Sequence, residues 1–499
     1  MLPKPHADLK PNTADFERLP QVKPTGFREY DARWLFPEEI NLMGLQAVGM
    51  GMATLFDRRG VKKRIVVGHD YRWYSASVKQ ALINGLMAGG MEVHDIGLAL
   101  SPMAYYAQFA LDVEGVAMVT ASHNDNGWTG IKMGMNRPLT FGPDEMSELK
   151  EIVLNGAYQT ADGGRYIFVE DMTQTYLDML ADRPKLTRKL KVVAACGNGT
   201  AGAFAPKVLE AVGCEVVALN ADLDHSFPNH NPNPEDMKML HAVADKVKEV
   251  GADVGLAFDG DGDRCGVVDN TGDEIFADKV GVMLARDISA LHPNAKFVVD
   301  VKSTGLFMTD PVLLGNGAHT TYYKTGHSYI KRFSHENNML VGFEKSGHFF
   351  FNKPLGRGYD DGIVAALAVC DMLDRNPDKS MEDLKNALPK TYQSPTMSPK
   401  CGDTEKYGVV EKIVAHYEDE AKNGASIGGL KIKELITVNG VRVVLEDGTW
   451  GLVRASSNKP ELVIVVESPT SEENRAAIFA DIEKQLAKHP EVGAFNQKL

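Results

Sequence analysis

Short, β-branched apolar runs recur along this chain of 499 residues, separated by stretches of helical length. Three of them open on a basic residue: Arg64-Ile65-Val66-Val67-Gly68, Lys191-Val192-Val193-Ala194-Ala195 and Lys296-Phe297-Val298-Val299-Asp300. Each predicts a buried strand. A helix-like stretch follows each, then a second short strand near 92–98, 215–220 and 319–323, then a third apolar run. The third runs lead into polar loops at 120–124, 259–264 and 344–348. One α/β unit is therefore predicted three times, against the alternative of independent α/β domains with unrelated turns. Loops at the carboxyl ends of strands are where open α/β sheets bind ligands.

The pattern changes near the C-terminus. Val441 to Leu445, Gly451 to Val453 and Leu462 to Val466 predict short strands with tight connections. Ser471 then caps a predicted helix that carries Ile478, Ile482 and Leu486 on one face. The predicted domains are 1–167, 168–274 and 275–388, all α/β, and 389–499, α+β. Pro389 to Pro399, rich in Pro, Ser and Thr, reads as a linker, and a hinge there would let the last domain close on a ligand.

Composition narrows the class. Hydrophobic content is 43% and charged content 24%, as in globular proteins. No apolar run approaches the ~18 residues of a membrane span, and Met1 to Pro20 has no apolar signal region. Five cysteines without metal-type spacing point to a reduced, cytoplasmic protein. A net charge of −13 disfavours nucleic acid or an anionic membrane as partner.

The densest chemistry is Asp259-Gly260-Asp261-Gly262-Asp263-Arg264, directly after the apolar stretch Val254 to Phe258. Alternate residues of an extended segment point the same way, so three carboxylates can converge on one hard cation. Arg264 adds a fixed positive charge beside it, a combination suited to phosphate. A solvated acidic turn is the plain alternative. An EF-hand fails, because its sixth and twelfth positions would be Arg264 and Asn270. Thr120-Ala121-Ser122-His123-Asn124 also follows an apolar stretch, Gly115 to Val119, and lacks the surround of a hydrolase nucleophile elbow. A serine hydroxyl near a metal can carry a phosphoryl group.

With Glu344-Lys345-Ser346-Gly347-His348 and Arg454-Ala455-Ser456-Ser457-Asn458-Lys459-Pro460, these loops make four signatures in order. The chain resembles the α-D-phosphohexomutases, the family of phosphoglucomutases and phosphomannomutases. The resemblance implies three similar α/β domains with mixed sheets and a C-terminal α+β domain around a central cleft. It implies interconversion of hexose 1- and 6-phosphates, of mannose or glucose, through a phosphoserine and a hexose 1,6-bisphosphate. One Mg²⁺ per chain and a hexose 1,6-bisphosphate activator are implied with it. The partner is a small sugar phosphate, and the chain is a monomer or a small homo-oligomer.

Residue by residue, Ser122 matches the phosphoserine, and with Asp259, Asp261 and Asp263 it matches the metal set. Arg264 stands beside them. Lys132 matches the family's basic residue, a general base whose pKa burial or nearby cations would lower; an ordinary exposed lysine is the other reading. Arg33 matches an arginine near the reacting phosphate, with Tyr30 its companion, and His327 an assisting histidine. Glu344 and Ser346 match the residues that grip sugar hydroxyls, His348 resembles the ending seen in dual-specificity members, and Lys302 adds a polar contact. Arg454, Ser456, Ser457 and Asn458 match the site of the non-transferring phosphate. Ser457-Asn458 stands where the family usually has Asn-Thr, Lys345 where Met or Glu is common, and Asp125 to Thr129 replaces a Pro-containing version. The rivals are an amino-sugar phosphate mutase (glucosamine or N-acetylglucosamine), a metal-dependent phosphatase and a non-catalytic sugar-phosphate sensor.

Overall fold

The computed structural model describes residues 3–499. The chain divides into two compact units: Met1–Ala277 with Ser346–Glu382, and Asp278–Lys345 with Asp383–Leu499.

The first unit holds two mixed sheets. In one, Arg64–His69 pairs in parallel with Glu92–Leu98 and Gly115–Val119. Arg165–Phe168 adds a parallel edge, while Trp128–Gly134 and Ala32–Leu35 extend the other side antiparallel. The central strands bury both faces, which is why they read as continuous apolar runs rather than alternating ones. The helix Leu42–Arg58 starts at Asn41, whose Oδ1 accepts from Gly44 N at 2.8 Å. It packs against Ser75–Ala88 backbone to backbone: a Cβ at Gly49 would lie 2.3 Å from Leu82 O, and one at Gly85 2.0 Å from Gln46 O. The second sheet repeats the plan. Lys191–Ala195 pairs in parallel with Glu215–Leu219 and Val254–Phe258, and Cys265–Asp269 returns antiparallel.

The second unit begins with the third copy. Lys296–Asp300 lies parallel between His319–Tyr323 and Val341–Phe343. The C-terminal part is an antiparallel sheet in the order Tyr392–Gln393, Leu462–Ser468, Trp450–Ala455, Val441–Leu445, Leu430–Ile436, Ser426–Ile427. Helices Lys406–Lys422 and Glu472–Leu486 cover it. Ser471 Oγ caps the second helix, accepting from Asn474 N at 3.1 Å, and Ile478, Ile482 and Leu486 are buried as the spacing predicts. Fully burying one such side chain stabilises by about 1.5–3 kcal/mol.

The stretch 389–399 is tied to the C-terminal sheet. Tyr392–Gln393 joins the sheet as an edge strand, and Met397 bridges to Ile464. Thr391 Oγ1 donates to Glu467 Oε1 at 2.6 Å, and Gln393 Nε2 to Asp278 Oδ2 at 2.6 Å. The residues of the predicted third domain divide between the two units, and those on either side of 389 share one unit. Among the described residues, no helix is long and apolar enough to cross a membrane.

Candidate active site

In the first unit the loop 120–124 leaves the carboxyl end of Gly115–Val119. Ser122 is buried and sits at φ 53°, a left-handed conformation that is strained for a residue with a side chain. The loop is held by residues the sequence reading missed. Ser122 N donates to Thr120 Oγ1 at 2.8 Å, and Thr120 Oγ1 donates to Asp70 Oδ2 at 2.8 Å. Asp70 is ion-paired with Arg72 and accepts from Ser75 Oγ at 2.6 Å. Arg72 Nη2 reaches Ser122 O at 3.0 Å and Asn124 O at 2.7 Å. The available signal was position, since Asp70-Tyr71-Arg72 directly follows the first predicted strand.

The loop 259–264 meets this serine. Gly260 is required, because a Cβ there would lie 2.5 Å from Ser122 O. Asp259, Asp261 and Asp263 are fully buried, and an oxygen of each lies within 4.8 Å of the others. Ser122 Oγ donates to Asp259 Oδ2 at 3.2 Å and also contacts His123 Nδ1 at 3.2 Å. Asp261 Oδ1 and Asp263 Oδ1 are buried without a hydrogen-bond partner. Oxygen-only donors with unused lone pairs fit a hard cation such as Mg²⁺.

Besides Arg72, three cationic side chains and one histidine surround the carboxylates or the serine loop. Arg264 Nε bonds Asp259 Oδ2 at 2.9 Å and its Nη1 pairs with Glu235 Oε2 at 3.3 Å, while Nη2 is buried without a partner. Arg33, on Ala32–Leu35, is ion-paired with Asp31 at 2.8 Å and donates from Nη1 to Ala121 O and Asn124 Oδ1, both at 2.9 Å. Tyr30 is buried and adds to the field at Arg33. Lys132 Nζ lies 2.6 Å from Asp261 Oδ2 and is also bonded to Asp263. His348 Nδ1 bonds Asp360 Oδ2 at 2.8 Å and lies 3.6 Å from Asp263 Oδ1. Asp360, and Ser101, whose Oγ donates to Asp261 Oδ2 at 2.6 Å, also escaped the sequence reading.

The electrostatics correct one expectation. Burial pushes the Lys132 ammonium toward neutrality, but Asp261 and Asp263 outweigh it and hold its pKa well above the ordinary lysine value, not below. Burial also raises Asp259, to about 7, with Asp263 and Asp261 adding and Arg264 opposing. Asp261 is held below the usual range: burial raises it, and the charge and hydrogen bond of Lys132 overcome that.

In the second unit, Glu344 is buried and its Oε1 accepts from Gly326 N at 2.5 Å. His327 follows at the start of the helix His327–Asn337 and is buried. Lys302 Nζ lies 3.7 Å from Asp300 Oδ2. Arg454 Nη2 donates to Ser457 Oγ at 3.1 Å, and Ser456 Oγ accepts from Lys459 N at 3.3 Å. Asn458 is half-buried in the same loop. The predicted sugar loop belongs to both units: Glu344 and Lys345 to the second, Ser346 (half-buried) and His348 to the first.

A strained buried serine, a triad of carboxylates and two guanidinium groups at strand ends are the parts of a phosphoryl-handling enzyme. Known proteins agree. The chain matches the phosphoglucomutase/phosphomannomutase alpha/beta/alpha domains I, II and III over residues 24–160, 168–272 and 276–392, and the C-terminal domain over 401–485. It is 36% identical to a phosphomannomutase/phosphoglucomutase of Pseudomonas syringae pv. tomato, over 91% of this chain and 93% of that one. It is 32% identical to a phosphoglucomutase of Neisseria meningitidis serogroup A, over 89% and 93%. A crystal structure of a family protein from Burkholderia thailandensis superposes with a TM-score of 0.84 at 30% identity, covering 95% of this chain and 99% of that one. The chain belongs to the phosphoglucomutase/phosphomannomutase family, and it is a mutase, an isomerase.

Proposed function

We propose that the protein interconverts the 1- and 6-phosphates of mannose and glucose through a phosphoserine at Ser122 and a hexose 1,6-bisphosphate. The observation that carries this reading is Ser122 itself: a buried hydroxyl in a left-handed loop, bonded to one of three converging carboxylates. In the forward half, a sugar hydroxyl oxygen bonds to phosphorus as the P–Oγ bond to Ser122 breaks. The hydroxyl proton leaves to a base. The bisphosphate turns over and its other phosphoryl group returns to Ser122 by the reverse steps.

Asp259, Asp261, Asp263 and Ser122 would hold Mg²⁺, which when bound supplies positive charge to the transferring group. The unpartnered Nη2 of Arg264 and the guanidinium of Arg33 orient that group's oxygens. Lys132, with its proton retained beside two aspartates, acts as fixed positive charge. The hydrogen bond between His348 Nδ1 and Asp360 orients the imidazole as the base that takes the hydroxyl proton. Glu344 and Ser346 take the sugar hydroxyls, with Lys302, His327 and Tyr30 assisting. Arg454, Ser456, Ser457 and Asn458 take the phosphate that is not transferred.

The test is turnover of mannose 1-phosphate and glucose 1-phosphate with Mg²⁺ and a trace of glucose 1,6-bisphosphate, with released phosphate read in parallel. Both sugars should isomerise without phosphate release. Isomerisation of glucosamine or N-acetylglucosamine phosphate alone would make it an amino-sugar mutase. Released phosphate would make it a hydrolase, and binding without turnover a sensor.

A further inference from the structure

One residue outside every sequence signature touches the phosphate loop. Asn439 sits in the turn between Leu430–Ile436 and Val441–Leu445. Its Oδ1 accepts from Arg454 Nε at 2.8 Å and from the backbone N of Thr325 at 3.3 Å. Both partners are obligate donors, which fixes the oxygen on this side of the carboxamide. The turn is pressed onto the strand that carries Arg454. Gly440 has φ 73°, and a Cβ there would lie 2.2 Å from Val453 O.

Thr325 leads onward. Its Oγ1 donates to Asp300 Oδ2 at 3.0 Å, and Asp300 Oδ1 accepts from Lys345 N at 3.2 Å. The next residue, Gly326, donates its N–H to Glu344 Oε1. Hydrogen bonds, joined by the peptide link from Thr325 to Gly326, therefore connect Ser457 and Arg454 through Asn439 to Glu344. Every member lies in the second unit.

We propose that Asn439 is a positioning residue for substrate binding: its oxygen fixes the Arg454 guanidinium and ties the phosphate grip to the loop that holds the sugar grip. This rests on the proposed role of Arg454 at the non-transferring phosphate. A planar guanidinium binds phosphate well only in a fixed orientation. With Nε used on Asn439 and Nη2 on Ser457, Arg454 is locked at two corners and its other N–H groups are left for a ligand. Without Asn439 the guanidinium swings, and substrate binding must restrain it.

The experiment is a double-mutant cycle in KM and kcat for glucose 1-phosphate, using Asn439→Ala, Arg454→Lys and the pair. Wild-type turnover checks the functional reading first, and its absence sinks that reading without touching the cycle's logic. Given turnover, Asn439→Ala should raise KM about ten-fold and lower kcat less than about three-fold, the signature of lost binding common to ground and transition states. In the Arg454→Lys background the same substitution should change KM less than about two-fold. Asn439→Asp keeps an acceptor for both donors, so its KM should stay within about three-fold of wild type. Asn439 is half-buried and lines a cavity of about 320 Å³ with Val410, Val414 and Ala455, so truncation opens no closed core. An unchanged KM in Asn439→Ala, an equal rise in both backgrounds, or an Asp variant as impaired as the Ala variant would each overturn the proposal.

Discussion

Two buried lysines, one in each unit, titrate in opposite directions. Lys132 in the first unit is bonded to Asp261 and Asp263 and is held protonated. Lys345 in the second is equally enclosed, but its ion pair with Asp278 spans 3.6 Å, and burial pushes its pKa below the ordinary value while Asp278 and Glu467 resist. Enclosure is the same in both. The aspartates bonded to Lys132 lie closer than the Asp278 oxygen 3.6 Å from Lys345, and Coulomb attraction outweighs desolvation only at the first lysine. The first unit concentrates charge that only another charge can balance. In the second, backbone N–H groups, a hydroxyl and the Asn439 amide hold the loops around Arg454 and Glu344.

The largest effect should come from the serine at the centre of the charged cluster. Ser122→Ala should lower mutase turnover by about 10³-fold or more, because no other group can carry the phosphoryl group. Glucose 1-phosphate binding, measured by calorimetry, should stay within about three-fold. Full activity in this variant would end the phosphoserine reading.

Next comes the balance of charge. Lys132→Ala leaves Asp261 and Asp263 buried without their shared cation, and breaking a buried pair from one side typically costs about 3–5 kcal/mol. Chelator-treated protein should lose about that much in urea unfolding, and added Mg²⁺ should restore part of it by binding the native carboxylates. Equal loss with and without Mg²⁺ would show that the lysine and the metal do not share these oxygens.

Glu467 tests whether the second unit contains one place built like the first. It is buried and accepts from Lys279 Nζ at 2.9 Å, Thr304 Oγ1 at 2.8 Å, Gly305 N at 2.8 Å and Trp450 Nε1 at 2.9 Å. Burial raises its pKa, but Lys279 and the hydrogen bonds bring it down from 4.5 to about 2. A carboxylate depressed on folding contributes stability that is complete above about pH 4.5 and lost as pH falls toward 2. The shift corresponds to about 3 kcal/mol. Glu467→Gln should remove that acid-dependent portion of the unfolding free energy between pH 5 and pH 2; an unchanged acid limb would place the stabilisation elsewhere.

How much of this contrast was legible in the sequence follows from how far apart the partners lie along the chain. Ser122, the three aspartates and Arg264 announced themselves because each loop carries its chemistry within a few residues. The helix Glu472–Leu486 was legible for the same reason, cap and apolar face both being local. Asp70, Ser101, Asp300, Asp360 and Asn439 were not, since each acts on a residue brought near only by folding, as Ser101 does on Asp261. The direction of the Lys132 shift depended on two such partners, and reading the lysine as merely desolvated gave the wrong sign. The stretch 389–399 reads as a linker from its Pro, Ser and Thr, but its pairing with Leu462–Ser468, far along the chain, lay beyond a local reading.

Removing the Lys345 charge should change stability least. Lys345→Met keeps a long apolar stem and removes a charge that the native state holds at a disadvantage. A base whose pKa falls on folding binds fewer protons native than unfolded, so wild-type stability should rise as pH climbs toward 10.5. The Met variant should lose that rise, and near pH 7 its unfolding free energy should lie within about 1 kcal/mol of wild type, with stabilisation the favoured direction. Urea unfolding at pH 7 and pH 10 reads both quantities. A loss near that of Lys132→Ala would mean that the 3.6 Å pair with Asp278 balances the lysine as well as two direct hydrogen bonds do, and reach would no longer be what separates the two units.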